Sequence, residues 1–231
     1  LSITNMNDDQ RLNALLNYKT KNKLFIPIYI SVPDKYGHKF GPNSPELINS
    51  LAILDKKCEN IISNLLKSNS KSGITFVGDH GMDSVTKSIN IDTILFNIES
   101  TTGLKRFVDF DFFLDSTLLR VWWKSNLKDR NIFFKHLIEN KEIKEKGYIF
   151  GLNNLEDLNK DFDSIADFVW WAKKGVLINP DFFHNSNISL KGMHGYLKKD
   201  NPSSGFFLRI KEDIKKKKYQ KIQSDSIDEL F

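Results

Sequence analysis

The chain has 231 residues, of which 40% are hydrophobic and 12% aromatic, so it can bury a substantial core and is long enough for one large α/β domain. Its 34 basic and 29 acidic residues give a mild net charge of +5, and its single cysteine, Cys58, excludes an internal disulfide and a thiolate metal cluster. No run approaches the roughly 20 apolar residues of a membrane span. Because the sequence opens on Leu1 without a methionine or a signal-peptide pattern, we expect a segment of a longer polypeptide.

The first predicted elements are a helix and a strand. Asn7 or Asp8 can cap a helix that runs through Tyr18. Leu24 to Val32 is mostly apolar and strand-like, with Pro27 indicating an irregularity or an edge position.

The segment after this strand carries the first candidate cluster. Asp34 and His38 are four residues apart, so one turn of helix or a compact loop would place them on the same side. Gly37 and Gly41, with the flanking prolines, favour the loop. The structural alternative is that Asp34 only caps a turn and His38 is only a surface imidazole.

The second cluster follows a predicted βαβ unit. Ser44-Pro45-Glu46 is typical of a helix start, and the helix is expected to run to about Ser68. Ile74 to Gly78 then reads as an inner strand of a parallel sheet that ends directly in Asp79 and His80. Parallel strands would place both clusters on one rim of the sheet. Without that context, an Asp-His pair after a strand is more often turn chemistry on the surface.

The next part of the chain is predicted to contain two strands, a helix and two further strands. The strands lie within Phe107 to Trp123, around a turn at Asp115-Ser116, and within Ile165 to Ala172 and Val176 to Ile178. Asn126 to Lys146 is expected to form one amphipathic helix that ends at Gly147. The two tryptophan pairs can stack on a nucleobase, but packing in the strands is the favoured interpretation; they are Trp122, Trp123, Trp170 and Trp171.

The third candidate cluster is a glycine-flanked histidine, His194, in the segment Lys191 to Tyr196. An imidazole between two glycines is poorly placed to be a packed core residue. His136, on the predicted helix, and His184, in a polar loop, have no such setting and are not included among the candidate ligands.

Two carboxylates and three imidazoles form a donor set that suits zinc better than manganese or iron. Five ligands are too many for one tetrahedral zinc and too few for two closed zinc sites. The set therefore indicates a two-metal site completed by other residues, water or substrate. Such a site can clamp the attacking and leaving oxygens of a phosphoryl group during an in-line displacement.

The three blocks, in their order, resemble the nucleotide pyrophosphatase/phosphodiesterase family of the alkaline phosphatase superfamily. The blocks are Tyr29-x-x-x-Pro33-Asp34-x-x-Gly37-His38-x-x-Gly41-Pro42, Gly78-Asp79-His80-Gly81-Met82 and Gly192-Met193-His194-Gly195-Tyr196. The resemblance implies an α/β fold of the alkaline-phosphatase type, with a mostly parallel central sheet flanked by helices. It also implies a zinc-dependent hydrolase of phosphodiester or pyrophosphate bonds in small nucleotide-like substrates, working through a covalent phospho-threonine or phospho-serine intermediate.

The resemblance also assigns individual roles. Asp34, His38 and His194 would hold one zinc ion, Asp79 and His80 the other, and Tyr29 would line the substrate pocket. The family's nucleophile and a further Asp ligand would precede Leu1, so no catalytic nucleophile is expected in this chain. Residues 1–231 are then expected to be a single partial catalytic domain that lacks its N-terminal part. The residues alone leave the location unknown, and the resemblance implies an extracellular, periplasmic or membrane-anchored ectodomain.

Three alternatives stay open at the level of sequence. The chain can belong to another hydrolase of the superfamily, acting on phosphonates, phosphomonoesters or sulfate esters. It can be a relative that keeps the fold and binds a partner without catalysis. The lysine-rich run Lys211 to Tyr219 can bind nucleic acid, although a solvated helix face is favoured and no nucleic-acid partner is expected.

Overall fold

The computed structural model describes residues 6–16, 25–68, 73–150, 166–184, 189–200 and 202–210. In chain order the elements are α1 (Asp8–Leu16), α2 (Val32–Phe40), α3 (Pro45–Ser68), β1 (Ile74–Gly78), β2 (Asp83–Ser84), β3 (Lys87–Ile89), α4 (Ile91–Thr102), β4 (Phe110–Asp115), β5 (Leu118–Trp123), α5 (Leu127–Glu139), α6 (Lys141–Lys146), β6 (Gly147–Phe150), β7 (Phe168–Ala172), β8 (Val176–Ile178), β9 (Gly192–Met193), a 3-10 turn (Lys198–Asp200) and β10 (Phe206–Ile210). This content confirms the predicted mixed α/β class. Lys211 to Tyr219 lies outside the described residues.

The chain divides into two compact units, and each is described by itself. The first unit contains α1, the start of α2, α3, β1 and β10. The second contains the end of α2 and the elements from β2 to the 3-10 turn. None of the helices in the described ranges combines the length and the apolar character that crossing a bilayer requires.

The helices of the first unit begin at the predicted caps. Asn7 accepts from the N–H of Gln10 at 2.9 Å, and the Gln10 side chain accepts from the N–H of Asn7 at 2.9 Å, which forms a capping box for α1. Ser44 Oγ accepts from the N–H of Leu47 at 3.2 Å, so the predicted start of α3 is confirmed. The helix α1 ends at Leu16, and its predicted continuation lies outside the described residues.

The predicted strand over Leu24 to Val32 was wrong for the described residues 25–31, which form no strand, and α2 begins at Val32. The physical reason is a competing acceptor. The N–H groups of Ser31 and Val32 each donate to Oδ2 of Asp8 at 2.9 Å, where a strand would donate to a neighbouring strand. The same helix α2 replaces the loop that the glycines and prolines favoured, so one helical turn separates Asp34 from His38.

The strand β1 forms where it was predicted but pairs differently. It lies antiparallel to β10, with Ile74 opposite Ile210 and Gly78 opposite Phe206. Its side chains alternate between half-buried and exposed positions, as is usual for an antiparallel strand with one solvated face. The prediction of an inner strand in a parallel βαβ unit was therefore wrong.

Most strands of the second unit are also antiparallel. A four-stranded antiparallel sheet has the order β4-β5-β7-β6, and its β4–β5 hairpin confirms the two strands predicted around Asp115-Ser116. Among the described strands, the predicted parallel pairing is found only between β3 and β8. Antiparallel neighbours need only a short turn between them, whereas parallel neighbours need a long crossover. The two residues between β4 and β5 are long enough only for an antiparallel pair.

The helix predicted over Asn126 to Lys146 is broken into α5 and α6. The Asn140 side chain accepts from the N–H groups of Glu142 at 2.9 Å and Ile143 at 3.2 Å, so it caps a new helix. An asparagine that bonds to the main chain in this way competes with helix continuation. The end of α6 before Gly147 agrees with the prediction.

The core of the second unit is built around Trp170. Its side chain is fully buried, and its indole N–H donates to the carbonyl of Ile143 at 2.9 Å. The ring lies against Gly147 so closely that a Cβ there would be 2.0 Å from the indole. For this tryptophan, the favoured interpretation of packing is confirmed.

Candidate metal centre

The first unit holds Asp34 on α2 and the Asp79–His80 pair directly after β1. The His80 Nδ1 atom lies 3.0 Å from the carbonyl oxygen of Gly81, and Nε2 lies 3.6 Å from Oδ1 of Asp79. Because a carbonyl oxygen only accepts, Nδ1 is the donor in the contact with Gly81. Asp34 and His80 each offer a ligand atom, and these two atoms lie within 4.8 Å of each other.

The second unit holds His38, at the end of α2, and His194, which follows β9. The His38 Nδ1 atom lies 2.9 Å from the carbonyl oxygen of Gly192, so Nδ1 of this imidazole also donates to a main-chain carbonyl. The centroids of the His38 and His194 rings are 5.1 Å apart. The main-chain carbonyl of His38 accepts from the N–H of Lys191 at 2.7 Å, which is a second hydrogen bond between the first and third motifs.

Glycine is required where these two motifs meet. A Cβ on Gly192 would lie 2.4 Å from the carbonyl oxygen of Gly37 and 2.9 Å from Cγ of Met82. Gly37 is itself buried, and a Cβ added to it would lie only 3.0 Å from Cε of Met82. The glycines of the first and third motifs therefore permit a main-chain approach that brings the His38 and His194 rings together.

Tyr29 lies in the irregular segment that precedes α2, and its side chain is 66% exposed. The Arg11 guanidinium carbon lies 5.8 Å from the centre of the Tyr29 ring, and Arg11 also donates to the Tyr29 carbonyl at 3.2 Å. The guanidinium is in turn paired with Asp8 at 2.9 Å. These contacts place Tyr29 in the first unit together with Asp34, Asp79 and His80.

The second unit contains a pocket of about 210 Å³ whose wall includes a histidine that is not a predicted metal ligand. His184 lines this pocket together with His38 and His194. Its Nδ1 atom lies 3.1 Å from Oδ1 of Asp181. The sequence signal for this pair is the Asp-x-x-His spacing. The spacing alone does not predict a functional site, because only the fold brings this segment to the pocket that His194 also lines.

The family follows from comparison with known proteins. A model of the type I phosphodiesterase / nucleotide pyrophosphatase family matches residues 3–197. The chain belongs to this family. The match spans all three motifs that carried the resemblance in the sequence.

Individual relatives agree with this family. The chain is 30% identical over 125 residues to a venom phosphodiesterase of Naja atra, covering 53% of this chain and 14% of that protein. It is 32% identical over 81 residues to ectonucleotide pyrophosphatase/phosphodiesterase family member 3 of Bos taurus, covering 32% of this chain and 9% of that protein. The matched part of the chain thus spans a small fraction of these relatives' length.

Two solved structures share the fold. Human ectonucleotide pyrophosphatase/phosphodiesterase 5 matches with a TM-score of 0.61 and 19% identity, covering 87% of this chain and 50% of that one. Phosphonoacetate hydrolase from Sinorhizobium meliloti matches with a TM-score of 0.50 and 16% identity, covering 76% of this chain and 43% of that one. These likenesses confirm the predicted alkaline-phosphatase-like α/β fold.

The residues present fit a metal ion, on which this family depends. Carboxylate oxygens and neutral imidazole nitrogens are ordinary zinc ligands. Metal-binding histidines characteristically give their other ring N–H to a carbonyl or a carboxylate, and His38 and His80 both do so. The contacts with Gly192 and Gly81 therefore prepare the tautomer that a metal ligand needs.

A buried carboxylate, Asp83, supports the segment after the second motif. It is 5% exposed and accepts from Ser203 N–H at 2.9 Å, from Ser203 Oγ at 2.7 Å and from Lys174 Nζ at 3.0 Å. Burial alone would raise the pKa of Asp83, but the hydrogen bonds from Ser203 and Lys174 outweigh it and hold the pKa below its usual value. The ionised carboxylate is therefore favoured in the folded state.

Asp83→Asn should lower the free energy of unfolding at pH 7 by about 1–3 kcal/mol, because the charge-assisted hydrogen bonds are lost. A lowered folded-state pKa gives stability that is fully present above the unfolded-state pKa of about 3.9 and is lost as the pH falls from that value through the lower folded-state pKa. The difference between the two proteins should therefore shrink toward pH 3. Urea unfolding at pH 7 and pH 3 measures it.

Asp9→Asn is the matched control, because the Asp9 carboxylate is 63% exposed and paired with Lys57 at the surface. We expect this variant to change stability at pH 7 by less than about 1 kcal/mol. An Asp83→Asn effect that is equally large at both pH values would contradict the role of the ionised carboxylate.

Proposed function

We propose that the chain supplies the metal-binding side of a hydrolase that cleaves phosphodiester or pyrophosphate bonds of small nucleotides. The family match and the names of the relatives support this class of reaction. The observation that carries the proposal is the shared tautomer of His38 and His80, each of which bonds a main-chain carbonyl through Nδ1. Metal-binding histidines characteristically donate their other ring N–H to a carbonyl or a carboxylate in this way.

The proposed ligands follow the family's motifs. Asp34, His38 and His194 hold one zinc ion, and Asp79 and His80 hold the other. When bound, the two ions would neutralise phosphoryl oxygens and stabilise the attacking and leaving oxygens. The chain's own contribution is to orient these side chains, through the Gly192 and Gly81 carbonyls on the imidazoles and through the single turn of α2 between Asp34 and His38.

The remaining parts of the active site are also proposals. The nucleophile is a threonine or serine on a segment of the whole polypeptide that precedes Leu1, and a further Asp ligand comes from the same segment. Tyr29, with its exposed ring, contacts the substrate. The whole protein acts outside the cell, as the words "venom" and "ecto" in the relatives' names suggest for those proteins.

The complete polypeptide, loaded with zinc, should release p-nitrophenol from bis(p-nitrophenyl) phosphate, whereas residues 1–231 alone should release little. A chelator should abolish the release, and added zinc should restore it, because the ions supply the charge stabilisation. Absorbance of p-nitrophenolate measures the rate.

The same assay separates this function from its rivals. Phosphonoacetate, p-nitrophenyl phosphate and p-nitrophenyl sulfate are tested in parallel, and faster turnover of any of them than of the diester would assign the protein to another hydrolase class. A complete, zinc-loaded protein that leaves all these esters intact would refute the enzymatic function.

A further inference from the structure

The Asp181–His184 pair has no part in the proposed metal chemistry, yet its imidazole lines the same pocket as His38 and His194. The Asp181 side chain is fully buried, while the His184 side chain is 29% exposed. A buried carboxylate beside a partly exposed imidazole at a pocket wall is an arrangement that presents one ring nitrogen to a ligand.

Asp181 is held in place by several donors. Its Oδ1 accepts from the N–H groups of Phe183 at 2.8 Å and His184 at 2.5 Å, and its Oδ2 accepts from Ser116 Oγ at 2.9 Å. With these donors satisfied, the carboxylate remains an acceptor toward Nδ1 of His184, at 3.1 and 3.2 Å from its two oxygens. Nδ1 is therefore the donor to the carboxylate, and in the neutral imidazole Nε2 is the ring nitrogen that accepts.

The turn between β4 and β5 supports two walls of the pocket. Ser116 holds Asp181, and the neighbouring Thr117 donates through Oγ1 to the carbonyl of Gly195 at 3.2 Å. The indole N–H of Trp171 donates to the same carbonyl at 2.7 Å. His184 and the segment that carries His194 are thus braced by adjacent residues of one turn, so their orientation is fixed before a ligand arrives.

We propose that His184 is a specificity residue whose Nε2 accepts a hydrogen bond from a sugar hydroxyl of the nucleotide substrate. This inference rests on the proposed function, because it places the substrate beside His38 and His194. A fixed acceptor selects a ligand with a donor, and the ribose hydroxyls are the donors of a nucleotide nearest its phosphoryl group. A pocket of about 210 Å³ is smaller than those that enclose whole drug-sized ligands, so it would take only part of a nucleotide.

The test compares substrates with and without sugar hydroxyls in the complete, zinc-loaded protein. His184→Ala should lower kcat/KM for the p-nitrophenyl ester of uridine 5′-monophosphate about tenfold, mainly through KM, because one hydrogen bond is lost. It should leave bis(p-nitrophenyl) phosphate turnover and zinc content unchanged, since that substrate has no sugar. Calorimetry should show AMP binding weakened about tenfold and 2′,3′-dideoxy-AMP binding unaffected.

Two further variants sharpen the result. His184→Gln retains an acceptor oxygen and should keep part of the preference for the uridine ester, whereas His136→Ala, which removes an exposed imidazole on α5, should change nothing. The inference is overturned if His184→Ala lowers kcat/KM equally for the uridine ester and for bis(p-nitrophenyl) phosphate. It is also overturned if the variant leaves kcat/KM unchanged for both substrates, or if it loses zinc. Hydrolysis and zinc binding by the parent protein test the proposed function separately. If the parent protein neither hydrolyses the esters nor binds zinc, the proposed function and the role of His184 are both refuted.

Discussion

Asp34→Ala and His194→Ala should each lower the zinc content of the protein and reduce phosphodiester hydrolysis by on the order of a thousandfold or more. Each change removes a proposed ligand, and the charge stabilisation of the transferred phosphoryl group depends on the ion that the ligand holds. Elemental analysis after dialysis against a limiting zinc concentration measures the loss in the chain itself. Turnover is measured in the complete polypeptide.

The controls are imidazoles that are not proposed ligands. His136→Ala should retain both zinc and turnover, because His136 is exposed on α5. His184→Ala should also retain zinc. Equal zinc content in Asp34→Ala, His194→Ala and the two controls would contradict the assignment of the metal centre.

Gly192→Ala should weaken zinc binding at the same metal centre although Gly192 is not a proposed ligand. The added Cβ would lie 2.4 Å from the carbonyl oxygen of Gly37, which is a main-chain atom and cannot rotate away. The carbonyl of Gly192 itself positions the His38 ring. We expect the free energy of unfolding to fall by about 1–3 kcal/mol and zinc affinity to fall by roughly 10–100-fold.

Gly73→Ala is the matched control for this substitution. A Cβ at Gly73 would meet no heavy atom within 4 Å, and its backbone lies outside the left-handed region. Urea unfolding and zinc titration of both variants measure the contrast. A Gly192→Ala protein with the stability and zinc affinity of the parent would show that the close main-chain approach of the two motifs is unimportant.

The elements that could be predicted from the sequence are those with a local cause. Ser44 and Asn7 cap their helices through residues three positions away, and the β4–β5 hairpin has a two-residue turn with alternating neighbours. The candidate metal ligands are proposed from the sequence for a related reason, since each motif places its polar residues beside glycines. The five candidate ligands themselves stay a proposal.

The errors came from interactions that span a long stretch of sequence. An apolar run such as Leu24 to Val32 does not indicate which groups will accept from its N–H donors, and here the acceptor is Asp8, more than twenty positions earlier. The pairing of β1 with β10 was missed for the same reason, because the partner lies over a hundred residues away. His184 was excluded because its partners in the pocket are supplied by the fold.

The contact between Asp8 and the start of α2 determines where the polypeptide can be shortened. Asp8 provides an anion at the first turn of the helix that carries Asp34 and His38, where main-chain dipoles favour negative charge, and Arg11 secures that anion. An expression boundary or a protease cut placed after this residue would leave the helix start without its anionic cap. Residues 6–16 therefore belong to any shortened version that is meant to bind zinc.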